Sequence, residues 1–72
     1  MEQVVLNLRD VVLVRWHDID KEKNKETYET IGMVVSVTQE ELALSQTIDT
    51  KDGFPYCIIE ITLKDIEQLI KF

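Results

Sequence analysis

Hydrophobic residues occur in short runs divided by polar stretches, and most runs alternate in steps of two rather than at helical spacing. The first run, Val11-Val12-Leu13-Val14-Arg15-Trp16-His17, is rich in β-branched residues and too short for a buried helix, so it predicts a strand. Ahead of it, Leu6-Asn7-Leu8-Arg9-Asp10 predicts a lead-in turn whose Leu6 and Leu8 cap one end of a core. Asp18 to Thr27 carries seven charged residues in ten with no Gly or Pro, and predicts the one long loop. From Tyr28 to Thr38 the alternation resumes. Ile31, Met33, Val35 and Val37 share one face, while Thr30, Gly32 and Ser36 lie on the other with Val34. Gly32 inside this strand predicts a bend or bulge of the kind a small barrel needs at a corner.

Gln39-Glu40-Glu41 is a polar connection of hairpin length. Leu42 and Leu44 then alternate with Ala43 and Ser45 in a third strand reaching about Ile48. Asp49-Thr50-Lys51-Asp52-Gly53 contains an Asp-Gly turn signal, and Pro55 opens the next strand, where a missing N–H is tolerated. In that strand Cys57, Ile59 and Ile61 face one way and Tyr56, Ile58 and Glu60 the other. The C-terminal stretch reads in two ways. Thr62-Leu63-Lys64-Asp65 resembles a capping box followed by Ile66, Leu69 and Ile70 at helical spacing, or it is one helical turn before a last strand from Ile66 to Phe72. Four or five short strands with tight turns predict an all-β barrel or sandwich, and a small barrel suits this length because closure removes sheet edges.

Composition narrows the function classes. With 72 residues the chain is one small domain, which buries only about 60% of its unfolded surface. One Cys excludes an internal disulfide, and one His with one Cys excludes the common structural zinc sites. No apolar run approaches the ~20 residues of a membrane span and no basic-then-apolar leader is seen, so a soluble intracellular domain is expected, and Cys57 suits a reducing compartment. The net charge is −6, and Lys21, Lys23 and Lys25 are interleaved with Asp20, Glu22 and Glu26. With no cluster of basic residues to release counterions from a phosphate backbone, direct nucleic-acid binding is not expected. The acidic balance fits a partner with a basic face, or serves solubility alone.

Trp16-His17-Asp18 is the most suggestive tripeptide. On a strand Trp16 and Asp18 face one way and His17 the other, so His17 and Asp18 form no catalytic pair, and Ser36 and Ser45 lack a nucleophile elbow. The plain reading has Trp16 covering a barrel end and Asp18 capping the loop turn. The functional one has Trp16 stacking on a planar ligand beside His17 or Arg15. Asp18, Asp20, Glu22, Asn24, Glu26 and Glu29 match the ligand spacing of a calcium loop, but Lys23 stands where the sharp turn requires Gly, so a solvated charge-alternating loop is expected and no metal. Cys57 is expected to be a buried structural thiol. Phe54, Tyr56 and Phe72 are expected at the rim and in the core, with Tyr56 the most exposed. The face holding Val34, Ile58 and Tyr56 is apolar beyond the needs of one core, which suggests self-association.

Val12-Leu13-Val14-Arg15-Trp16-His17-Asp18, Thr30-Ile31-Gly32-Met33-Val34-Val35, Leu42-Ala43-Leu44-Ser45-Gln46, Asp52-Gly53 and Ile61-Thr62-Leu63-Lys64-Asp65-Ile66-Glu67-Gln68-Leu69 together resemble a pattern in small phage and prophage proteins. There a V-x-W-x-D strand precedes a variable polar loop, a V/I-G-hydrophobic strand, a Leu-Ala-x-Ser/Gln strand and an I-P-K-x-x-I turn. Here Thr62 replaces the Pro of that turn. The resemblance implies a five-stranded SH3-like or Sm-like barrel with a one-turn helix before the last strand, which favours turn plus strand at the C-terminus. The group has no established activity, so it supplies no catalytic residue. It implies the cytoplasm of a bacterial host and a counter-defence role. The expectation is a non-enzymatic, oligomeric binding protein without cofactor that captures a host factor or a small nucleotide-like signalling ligand through Arg15, Trp16, His17 and Tyr56. The alternative is an acidic protein–protein module that blocks a basic host surface, using Asp18 to Glu29 and the acidic C-terminal half.

Overall fold

The structure is a computed structural model that describes residues 5–19 and 21–72. The elements are β1 (Val11–Ile19), β2 (Lys25–Val37), β3 (Glu41–Ile48), β4 (Pro55–Thr62), a 3-10 turn (Leu63–Asp65) and β5 (Ile66–Lys71). All five strands form one antiparallel sheet in the order β4-β3-β2-β1-β5. The all-β class, the strand number and the turn-plus-strand ending agree with expectation.

Closure does not. β4 and β5 are the two sheet edges and share no ladder. The chain direction explains this. β4 is antiparallel to β3 and β5 to β1, so both run the same way as β2. Joining them would need a parallel pair, which takes a crossover of a dozen or more residues, and only Leu63–Asp65 separates them.

The core is Val12, Val14, Val34, Leu42, Leu44, Ile61 and Ile66, with Leu6, Trp16, Ile59, Leu63 and Leu69 packed against it. Along β2 the buried residues are Thr30, Gly32 and Val34, whereas Ile31 is 54% and Val37 43% exposed. Val34 is therefore core, not part of a spare outer face. Register explains the choice: Val34 pairs with Leu44 and Gly32 with Val12, both fully buried. A bulge between Val34 and Ser36 then shifts the phase of the strand's end. Gly32 is the close-approach point, since an added Cβ would lie 3.0 Å from the Leu44 Cβ and 3.1 Å from the Ser45 carbonyl oxygen.

The expected long loop is mostly hairpin. Asp18 pairs with Glu26 and Ile19 with Lys25, so β1 and β2 extend through the charged stretch. Asp20, one of the calcium-template residues, lies outside the described residues, among which no group of three or more His, Cys, Asp or Glu could hold a metal ion. The Asp49–Gly53 turn forms as expected: the Gly53 N–H donates to the Asp49 carbonyl (2.7 Å) and Gly53 takes φ 74°. Leu6 packs on the core, but Leu8 is exposed.

Cys57 is exposed rather than buried. It sits in edge strand β4 with φ 55°, a left-handed value that breaks the alternation linking it to Ile59 and Ile61. An aromatic disulfide reagent is accordingly expected to label Cys57 in the native protein at nearly the rate seen in denaturant. Strong native protection would contradict this placement.

Candidate functional site

Arg15, Trp16, His17 and Tyr56 occupy three separate places. Arg15 lies opposite Glu29 in the β1–β2 register, and its Nη2 is 3.1 Å from Glu29 Oε2, with both side chains about half exposed. His17 lies two residues further along the same face of β1. Its Nδ1 is 3.1 Å from Glu67 Oε2 and its Nε2 is 3.7 Å from Asp65 Oδ1. Lys25 Nζ meets the same Glu67 oxygen at 3.0 Å. An ionised carboxylate only accepts, so Nδ1 carries the hydrogen in that bond.

Trp16 faces the other way, toward the core. Its indole N–H donates to Thr30 Oγ1 (3.0 Å), and its ring packs against Tyr28 with centroids 4.9 Å apart. Tyr56 is on β4, with β3 and β2 between it and β1, and packs against Phe54 at 5.5 Å. The fold thus gathers Arg15 and His17, turns Trp16 away from both, and leaves Tyr56 at the far edge. The Arg15 guanidinium and the His17 ring nitrogens face carboxylates of this chain, and the polar atom of Trp16 is already bonded.

A different feature emerges on the outer surface of β2, β3 and β4. Ala43 pairs with Ser36 on one side and Glu60 on the other. Its small side chain floors a groove of about 460 Å³, walled by Val35, Ser36 and Thr38 and by Pro55, Ile58 and Glu60, with Glu41 also lining it. Ile58 is 50% exposed. Glu41 and Glu60 stand close enough to share a hydrogen bond, which raises the Glu41 carboxyl above its usual range; the Glu60 charge adds to the effect, as do partial desolvation and Glu40. The groove combines apolar walls from Val35, Pro55 and Ile58 with two neighbouring carboxylates, Glu41 and Glu60. The groove borders an edge strand, β4, whose outer side pairs with no strand among the described residues. Sequence reasoning named Glu41 only within a turn and Ala43 only as an alternating position. Their meeting depends on the β3–β4 register, which a single strand pattern does not reveal.

Two other carboxylates move the opposite way. The Asn7 N–H donates to Asp10 (2.8 Å) and Lys71 Nζ lies 3.1 Å from it, holding the Asp10 carboxyl below its usual range. Glu67 is lowered chiefly by the hydrogen bond from Lys25, with a smaller contribution from His17. A carboxylate lowered in the folded state supports folding above its unfolded pKa of about 4 and loses that support as pH falls through the folded value. Glu41 has the reverse sign: its penalty is present at neutral pH and is relieved on acidification. Glu41→Gln is therefore expected to raise the melting temperature at pH 7, with the gain vanishing below about pH 4. Glu67→Gln is expected to lower it at pH 7 only. Thermal melts of the two variants across pH check the opposed signs.

Compared with known proteins, the chain matches no family model, no curated protein and no solved structure.

Proposed function

We propose that this protein is a non-enzymatic protein-binding module that takes a basic, extended segment of a partner into the groove over Ala43, beside the free edge of β4. The proposal includes an SH3-like or Sm-like type for the five-stranded sheet. The resemblance to small phage proteins directs the reading toward a host protein whose basic surface is blocked. The observation that carries it is the groove itself, where Glu41 and Glu60 line the wall together with the apolar Val35, Pro55 and Ile58. A Lys or Arg side chain entering there would face both carboxylates at once, a complementary charge for the pair. An extended segment lying along the groove over Ala43 would rest its side chains on Ile58 on one wall and Val35 on the other.

The probe is a ten-residue peptide alternating Lys and Val, compared with its Glu–Val counterpart. The basic peptide is expected to bind, to weaken with salt, and to lose about tenfold or more in affinity to the Glu41→Gln/Glu60→Gln protein. Equal binding of the acidic peptide, or no binding of either, would sink the reading. A rise in melting temperature with a panel of nucleotides, absent with the peptide, would instead support the stacking site at Trp16.

A further inference from the structure

We infer that the outer face of β5, β1 and β2 pairs with the same face of a second copy of this chain. The inference is independent of the groove, which lies on β2, β3 and β4.

Register assembles the face. Leu13 of β1 stands opposite Ile31 on one side and Ile70 on the other, forming one row across three strands. Val11 stands opposite Met33, and the Phe72 N–H donates to the Val11 carbonyl (2.9 Å), continuing the β5–β1 pairing into a second row. The result is a block of six apolar residues, two rows of three. Ile31 is 54%, Val11 44%, Ile70 43% and Phe72 71% exposed, with Leu13 and Met33 half-buried between them. An antiparallel sheet with one solvated face normally shows polar residues there. Here Val11 to Val14 is an unbroken apolar run whose even members fill the core and whose odd members cover the outside. Contiguous apolar patches of this kind on small proteins mark interaction sites.

Charge selects the occupant. The chain carries −6, so two copies repel over most approaches. Beyond the apolar block on this face, however, most charges are paired: Arg15 meets Glu29 at 3.1 Å and Lys25 meets Glu67 at 3.0 Å, with Asp65 beside the His17 ring at 3.7 Å. The face is nearly balanced, whereas Glu40, Glu41 and Glu60 leave the β3–β4 side acidic. A basic partner is drawn to that acidic side, and a second copy meets least repulsion on this one. A two-fold axis along β1 lays the Ile70–Phe72 column of one copy over the Ile31–Met33 column of the other and sets Leu13 against itself. Like contacts then repeat on both copies, as a closed dimer requires, with the sheets about 10 Å apart.

Light scattering coupled to size exclusion, from micromolar to millimolar protein, tests this. The wild type is expected to reach the mass of two chains. Ile31→Lys and Ile70→Lys, both at well-exposed positions, are expected to keep the wild-type circular dichroism and to raise the dimer dissociation constant by about 30-fold or more. A single-chain mass at every concentration overturns the inference. So does an oligomer larger than a dimer, or a dimer that both variants leave intact.

Discussion

Leu44→Ala is expected to remove about half of the protein's stability. Leu44 is fully buried, pairs with Val34 on one side and Ile59 on the other, and faces the only position in β2 where a glycine brings the strands into close approach. Removing a buried leucine side chain costs about 2–5 kcal/mol, the larger values applying where the surroundings cannot collapse into the cavity. Backbone ladders fix β2 and β4 on either side of β3, so collapse around Leu44 is restricted. A chain of 72 residues has only about 4–10 kcal/mol in total. With no disulfide to limit the unfolded state, the single substitution removes half the margin or more. Urea titration by circular dichroism reads the loss directly, and a destabilisation below about 1 kcal/mol would contradict the placement of Leu44.

Gly32→Val is expected to be the second severe substitution, for the opposite reason. Its Cβ alone would stand 3.0 Å from the Leu44 Cβ and 3.1 Å from a backbone oxygen, and neither atom is the free end of a flexible side chain. Valine adds two methyl groups to a space that does not admit the first carbon. Overpacking of this kind costs about 1–3 kcal/mol or more. Strand propensity alone predicts the reverse, since valine favours strands and glycine weakens them. The sign of the change therefore separates a close-packed crossing at Gly32 from an ordinary strand position. A raised melting temperature would show that the strands do not approach as described.

Gly32 also shows where local pattern stopped being informative. Its presence in a strand was readable as a bend, and the Asp49–Gly53 turn, Pro55 at a strand start and the β-branched run at Val11 were readable for the same reason: each is a local conformational demand. The inner face of β2 was not readable. Met33, Val34 and Val35 are all apolar, and the bulge between Val34 and Ser36 shifts the period within the strand. Cys57 departs from its strand pattern because a positive φ breaks an alternation that Ile59 and Ile61 otherwise satisfy. Closure failed on chain direction, which follows from the ladder order rather than from any one segment.

The candidate site divided along the same line. Arg15, Trp16 and His17 were visible as adjacent residues, but their alternation sends the indole inward to Thr30 and the guanidinium and imidazole outward to Glu29 and Glu67. Tyr56 was joined to them by chemistry alone, and the sheet order places it on the opposite edge. The groove over Ala43 and the six-residue apolar block arise only when neighbouring strands are set in register. One clue was present for the block: four consecutive apolar residues, Val11 to Val14, imply burial on both faces of one strand.

The most direct test of the proposed function maps where a basic segment binds. Amide shifts of the ¹⁵N-labelled protein, recorded during titration with the Lys–Val peptide, are expected to change at Ala43, Ile58 and Glu60 and to stay unchanged at Arg15 and His17. In the Glu41→Gln/Glu60→Gln protein the same changes should require about tenfold or more peptide. Shifts centred on Arg15, Trp16 and His17, with Ala43 and Ile58 silent, would contradict the account.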